Sequence, residues 1–222
     1  MILCIGAVLD ETQIAGLRRR LEGQAFIDGA GTAGWHAKLV KHNRQAGVGP
    51  ETRALQAEVG AVLARHELFQ IACRPRRLRP VLFSRYEPGM EYGSHVDDAI
   101  MGGQDPIRSD LSFTLFLSAP DAYDGGELVI EGSAGEQAFK LPAGSLVLYP
   151  SSTLHRVAPV TRGVRLAAVS WVQSQVRDPA CREILFDLDT ARRTLFQREG
   201  KSREFDLLSK SLANLLRVWA EV

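Results

Sequence analysis

His95 and Asp97, a nitrogen donor and a carboxylate, stand two residues apart in the segment SRYEPGMEYGSHVDD. In an extended chain, positions two apart project to the same face, so both side chains can reach one metal ion from one side. The same parity turns Asp98 away and makes Asp97 the candidate ligand. Alone, a His-x-Asp pair is weak. With five histidines in the chain, chance supplies one in roughly one such protein in four, and an alternative role for Asp97 is to orient a structural His95. A second histidine strengthens the pattern. His155, in YPSSTLHRVAPVTRGVRLAAVSW, follows the apolar run GSLVLYP, and a sheet-rich core can return it to His95.

Two histidines and one carboxylate on one face of an octahedral ion leave three positions open, the facial arrangement of non-haem iron(II) oxygenases. Two of those positions suit a bidentate 2-oxo acid, and the third suits dioxygen. Zinc competes for the same donors. Arg165 adds a further signal. It stands between Val164 and Leu166 in a run whose two faces read Arg165, Ala167, Val169 and Leu166, Ala168, Ser170. A charge there is costly unless paired, and the far carboxylate of a dicarboxylic acid would pair with it through two parallel N–H groups. Taken alone, a structural ion pair is an equal reading of Arg165; beside the triad, ligand binding is favoured. Tyr86 and Tyr92 flank the first ligand segment. Packing is the more frequent role of strand aromatics, and Tyr86 is carried forward as the candidate to hydrogen-bond the co-substrate. His36, His42 and His66 have no such neighbours and read as surface or loop residues.

Short apolar runs separated by Pro, Gly and Asp must position these groups. Between Arg79 and Ser174 the runs PVLFSRYE, SDLSFTLFLS, GELVIEG, EQAFKLP, GSLVLYPS and VRLAAVSWVQ suit strands, with breaks at EPGM, APDAYDGG and PAGS. Such a series points to a sandwich or jelly roll and not to a parallel α/β sheet. Ahead of it, residues 2–9 form a short strand. Asp10 and Gln13 then make a capping box for a helix bearing Ile14, Leu17 and Leu21 and ending at Gly23. Residues 24–34 read as a glycine-rich loop, and a second helix runs from about Pro50 to about His66. Beyond Asp178 and Pro179, two amphipathic stripes are separated by Gly200. The second stripe is Phe205, Leu208, Leu212, Leu215 and Trp219.

At 222 residues and 45% hydrophobic, the chain can bury one sizeable core. Its net charge of +1 offers nothing for nucleic acid or a membrane surface. The short run Arg74, Arg76, Arg77, Arg79 reads as a solvated face. Cys4, Cys73 and Cys181 fit neither a disulfide framework nor a zinc knuckle. The N-terminus carries no signal-peptide pattern, and no run approaches the ~20 apolar residues of a membrane span. A cytoplasmic location without nucleic-acid or membrane partners is the expectation, with a homo-oligomer left open.

Several longer stretches carry a resemblance. DGAGTAG (28–34), KHNRQ (41–45), RYEPGMEYGSHVD (85–97), RSDLSFTLFLS (108–118), YDGGELVI (123–130), YPSSTLHRVAPVTRGVR (149–165) and NLLRVWAE (214–221) are similar to the bacterial PKHD-type hydroxylases. These are a prolyl-hydroxylase-like branch of the iron(II)/2-oxoglutarate dioxygenases that includes an iron-uptake factor. The resemblance spans essentially the whole chain. It implies iron ligands at His95, Asp97 and His155, 2-oxoglutarate binding by Arg165, and L-ascorbate as a supporting reductant. It also implies an α+β fold, a double-stranded β-helix (jelly-roll) core with flanking N-terminal and C-terminal helices. The expected division is 1–77 for the N-terminal strand and helices, 78–176 for the dioxygenase core and 177–222 for a C-terminal helical extension. The expected activity is hydroxylation of an unknown substrate, a small molecule or a peptide, coupled to oxidative decarboxylation of 2-oxoglutarate. Two other readings stand beside it. A non-catalytic jelly-roll sensor of a metal or 2-oxo acid needs no arginine for a co-substrate, so Arg165 argues against it. A zinc-dependent hydrolase needs a general base, for which Asp98 is the single candidate.

Overall fold

The first helix starts as its sequence requires: the Asp10 carboxylate accepts from the Gln13 N–H at 2.8 Å, and the Gln13 side chain accepts from the Asp10 N–H at 2.9 Å. The computed structural model describes residues 1–221. Val222, the last residue of the expected extension, lies outside them. In chain order the elements are β1 (Leu3–Ile5), α1 (Glu11–Glu22), β2 (Phe26–Asp28), β3 (Lys41–His42), β4 (Arg44–Ala46), α2 (Pro50–Arg65) and α3 (Glu67–Cys73). The β-rich region follows, with β5 (Pro75–Leu78), β6 (Leu82–Tyr86), β7 (Glu91–His95), β8 (Ile100–Met101), β9 (Ile107–Arg108) and β10 (Leu111–Phe116). It continues with β11 (Tyr123–Gly125), β12 (Leu128–Gly132), β13 (Gly135–Phe139), β14 (Leu146–Pro150), β15 (His155–Val157), β16 (Val160–Gly163) and β17 (Arg165–Ser174). Helices α4 (Pro179–Glu199) and α5 (Arg203–Trp219) close the chain.

Two antiparallel sheets carry the architecture, an α+β jelly roll as expected. The larger has the order β1-β14-β10-β17-β6-β4-β2, with β5 also paired to β17, and the smaller β13-β12-β15-β7-β3. Strand parity divides the larger sheet into two chemistries. On β10, Leu111, Phe113 and Leu115 face a core completed by Leu17 and Leu21 of α1, Leu55, Val59 and Leu63 of α2, and Phe69 of α3. Each such side chain gains about 1.5–3 kcal/mol on burial. The alternate residues Ser112 and Thr114 line the cleft between the two sheets. A strand buried on both faces thus keeps period two, with its polar positions on the site side.

The structure departs from three local expectations. Residues 24–34 are not all loop: β2 pairs with β4, placing Ile27 against Gln45, and Gly29–Thr32 forms a 3-10 turn capped by Asp28. The second helix ends at Arg65, and α3 begins at once. His66, read from sequence as a loop residue, caps α3 by accepting from the Phe69 N–H at 3.3 Å. The Arg-rich run is only partly solvated. Its Pro75–Leu78 segment pairs with β17, and Arg74 lies against the buried Asp189 of α4. At the other end, α4 rests on α3 and α5 on α4. The end of the chain returns to β17, where the Glu221 N–H donates to the Gln175 carbonyl at 2.7 Å. Arg108 joins Asp110 and Glu221 at 2.7 and 3.0 Å. Among the described residues, no helix is long and apolar enough to cross a membrane.

Candidate active site

The cleft between the sheets holds every candidate site residue. His95 ends β7 and His155 begins β15, and these strands pair so that the two histidines are register partners. Asp97 lies two residues beyond the end of β7. One donor atom from each of His95, Asp97 and His155 falls within 4.8 Å of the others, and His155 Nε2 is 3.8 Å from Asp97 Oδ2. Asp98 is turned elsewhere. Its carboxylate lies where a Cβ on Gly34 would come within 2.8 Å, so it closes against the segment after the 3-10 turn.

Backbone and neighbours fix the orientation of each donor. His95 Nδ1 donates to the Gly93 carbonyl at 2.8 Å and His155 Nδ1 to the Thr153 carbonyl at 3.0 Å. That pairing leaves each Nε2 with its lone pair toward the cleft, as in metal-binding imidazoles. The Tyr92 ring stacks on His95 with centroids 3.6 Å apart, and the Tyr149 ring meets His155 edge-on at 5.0 Å. Ser112 Oγ donates to Asp97 Oδ2 at 2.6 Å and lies 2.7 Å from Ser151 Oγ. Burial, with the facing His155, holds the His95 ring below the usual imidazole range, which favours the neutral form that coordinates metals.

Arg165 begins β17 opposite Tyr86 of β6. It is 1% exposed. Its Nε donates to the Gly126 carbonyl at 2.8 Å, and its guanidinium carbon sits 5.0 Å from the Tyr86 ring centroid and 5.6 Å from that of Phe116. Both terminal nitrogens are buried and make no well-formed hydrogen bond within the chain, with the Tyr123 hydroxyl beside the guanidinium. A desolvated guanidinium with two idle donors is costly by several kcal/mol. The arrangement fits a bidentate carboxylate arriving with a ligand, and the three donors nearby fit a divalent metal. Tyr86 packs against this cation and lines the same cleft. Burial pushes its hydroxyl up, and Arg165 and Asn43 partly offset the shift.

The remaining wall was not read from sequence. Lys41, Asn43 and Gln45 alternate along β3 and β4 and are all buried, whereas His42 and Arg44 between them are exposed. Lys41 Nζ donates to Thr32 Oγ1 at 2.8 Å, and Thr32 Oγ1 bonds to Gln45 Oε1 at 2.8 Å. Burial pulls the Lys41 ammonium down to about 8. The period-two pattern in KHNRQ was the available signal, as was the Ser-x-Thr of β10. The cavity encloses about 730 Å³ of empty space including its open mouth.

Comparison with known proteins agrees with this geometry. The sequence model of the 2OG-Fe(II) oxygenase superfamily matches residues 81–173, and that of the PKHD-type hydroxylase C-terminal domain matches residues 180–221. A PKHD-type hydroxylase of Synechococcus elongatus is 61% identical over 223 residues, and one of Gloeothece citriformis 57% identical over 221; each alignment covers 100% of both chains. Among solved structures, a Pseudomonas putida prolyl-4-hydroxylase superposes with a TM-score of 0.56 at 20% identity, over 78% of this chain and 92% of that one. A Trichoplax adhaerens prolyl hydroxylase, in complex with a hypoxia inducible factor peptide fragment, gives 0.57 at 15% identity, over 78% and 83%. HygX of Streptomyces hygroscopicus, with nickel, 2-oxoglutarate and hygromycin B bound, gives 0.53 at 13% identity, over 78% and 82%.

Proposed function

Because the chain belongs to the PKHD-type hydroxylases of the 2-oxoglutarate–iron(II) oxygenase superfamily, we propose that His95, Asp97 and His155 hold its iron and Arg165 holds the far carboxylate of 2-oxoglutarate. The protein is an enzyme that couples oxidative decarboxylation of 2-oxoglutarate to hydroxylation: substrate, 2-oxoglutarate and dioxygen give hydroxylated product, succinate and carbon dioxide. When bound, iron(II) supplies the positions for the 2-oxo acid and dioxygen and the redox chemistry that joins the two half-reactions.

The chain's own residues supply placement. His95 and His155, each held through Nδ1, present Nε2 to the cleft. Ser112 orients the Asp97 carboxylate. Arg165 takes the distal carboxylate with its two idle N–H groups, and its anchor on Gly126 fixes how far the co-substrate extends toward the metal ligands. Tyr86 stacks on that guanidinium and lies within the same cleft, which supports a role in holding 2-oxoglutarate. The buried walls exclude water from the reacting groups. The observation that carries the reading is the Arg165 guanidinium, 1% exposed with neither terminal nitrogen in a well-formed hydrogen bond.

A 2-oxo-acid sensor with no turnover and a zinc hydrolase are disfavoured by the family. L-Ascorbate as supporting reductant rests on the family resemblance. Three cysteines without a disulfide suit a reducing cytoplasm, and the net charge of +1 suits a small-molecule or peptide substrate better than nucleic acid or membrane. Solved neighbours carry a peptide fragment in one case and hygromycin B in another, so the fold accommodates both a peptide and a small molecule. Anaerobic addition of iron(II) and 2-oxoglutarate tests the reading. The account expects a weak visible charge-transfer band that requires both additions, and its absence would refute the assignment.

A further inference from the structure

The assignment above accounts for both ends of 2-oxoglutarate, one at the metal and one at Arg165, yet the cleft holds a second buried cation. Lys41 is 6% exposed, and the one bond made by its Nζ is to Thr32 Oγ1. Asp97 and Asp28 act on it through space without a hydrogen bond. The ammonium has three protons and can donate three bonds, so two remain for a ligand. Next on the same face stands Asn43, 4% exposed, whose buried amide makes no well-formed hydrogen bond and borders the Tyr86 hydroxyl. Gly29 makes room for that amide: a Cβ there would fall 1.9 Å from Asn43 Oδ1. Buried polar groups normally fill their bonding capacity within the chain, and here an ammonium with two spare protons and an amide without a well-formed bond stand side by side on one wall of the active-site cavity.

Position gives this wall a role in the reaction. Lys41 is the register partner of Tyr92, its Nζ lies 5.0 Å from the Tyr92 ring centroid, and Tyr92 stacks on His95. Arg165, by contrast, sits on β17 of the other sheet. A group held by Lys41 would therefore lie beside the triad, on a different strand set from the far carboxylate of 2-oxoglutarate.

We propose that Lys41, Thr32 and Asn43 form a subsite that binds a carboxylate of the hydroxylated substrate. The inference rests on the assignment of Arg165 and the triad to 2-oxoglutarate and metal. The ammonium supplies charge, the Asn43 amide N–H supplies a second donor, and Thr32 fixes the ammonium in place. The substrate class is thus a small carboxylic acid or a peptide segment bearing a carboxylate, with a carbon to be hydroxylated near the charged group.

The test uses full-length protein loaded with manganese(II), which does not turn over, and saturated with 2-oxoglutarate. The probes are pentanoate and N-acetyl-L-alanine, each paired with its primary amide. Paramagnetic broadening of probe proton signals reports binding near the triad. The wild type should bind the acids about tenfold or more tightly than the amides, as a charge-assisted contact in a dry site implies. Lys41→Met should abolish that preference and Lys41→Arg retain part of it, while the 2-oxoglutarate dissociation constant, by calorimetry, stays within about twofold of wild type in both. Equal binding of acids and amides by the wild type, including no binding of either, overturns the proposal. So does a preference that survives in Lys41→Met. A loss of 2-oxoglutarate affinity in Lys41→Met as large as that in Arg165→Ala gives the ammonium to the co-substrate and also overturns it. Failure of the underlying assignment reads differently: Arg165→Ala would then bind 2-oxoglutarate like the wild type.

Discussion

His95 and His155 are register partners across β7 and β15, with ring centroids 4.3 Å apart. A backbone ladder, and not a flexible loop, sets the spacing of the two imidazoles, and each is locked through Nδ1 to a carbonyl two residues earlier. His95→Ala or His155→Ala should therefore remove succinate production and lower metal affinity by more than about a hundredfold, since loss of an outer partner alone costs 10–100-fold. The far-ultraviolet circular dichroism should be unchanged, because the ladder does not depend on the rings. Full metal stoichiometry in either variant would contradict the triad.

Neighbouring carboxylates separate cleanly. Asp97 Oδ2 accepts from Ser112 Oγ at 2.6 Å and faces His155, whereas Asp98 closes on Gly34. Asp97→Ala should lose turnover, and Asp98→Ala should keep most of it. Ser112→Ala should weaken the metal by about tenfold, at the lower end of outer-partner effects. Steady-state succinate formation and metal titration check all three. An inactive Asp98→Ala beside an active Asp97→Ala would reverse the ligand choice.

Gly126 is the support on which Arg165 leans. Its carbonyl accepts the Arg165 Nε, its φ is +67°, and a Cβ there would meet Val160, Arg165 and Tyr123 at 2.9–3.0 Å. The φ is one that side-chain-bearing residues rarely adopt. Gly126→Ala should displace the guanidinium and raise the 2-oxoglutarate dissociation constant by about tenfold or more, as expected for a misaligned charge-assisted pair. Calorimetry on the manganese-loaded protein gives the answer; wild-type affinity would detach Gly126 from the site.

The C-terminal helices are fastened by a buried charge. Asp189 of α4 is 3% exposed and meets Arg192, Arg193 and Arg74. Arg192 and Arg193 can turn to solvent, but the Arg74 side chain is only 11% exposed and would be left as a buried unpaired cation. Asp189→Ala should cost about 3 kcal/mol, or roughly 6–12 °C in melting temperature, without changing 2-oxoglutarate binding. A melting curve identical to wild type would show the cluster to be dispensable.

Much of this arrangement was legible in the residues. His-x-Asp, a distant His after an apolar run and an Arg in the final core strand marked the residues that the fold gathers in one cleft. Alternation gave most core strands, and the Asp10–Gln13 and Asp178–Pro179 signals gave helix starts. The rest depended on distant pairing or on an unusual cap. Strand β2 is three residues long and exists through β4, so no local period marks it. Helix α3 follows α2 without a breaker, because His66 caps by its ring nitrogen and not by the usual hydroxyl or carboxylate. Lys41, Asn43 and Gln45 form one face of a wall that only the fold turns toward the triad. Ser112 and Thr114 sit inside an apolar strand, where their period-two spacing marked the cleft side but not its purpose.

The account stands most directly on one measurement: 2-oxoglutarate binding to manganese-loaded wild type, Arg165→Ala and Arg165→Lys by calorimetry. Two idle N–H groups on a buried guanidinium imply that Arg165→Ala raises the dissociation constant by about tenfold to several hundredfold with metal still bound. Arg165→Lys should recover only part, because a point charge does not reproduce the fork. An unchanged 2-oxoglutarate titration in Arg165→Ala, with metal stoichiometry and fold intact, would contradict the account.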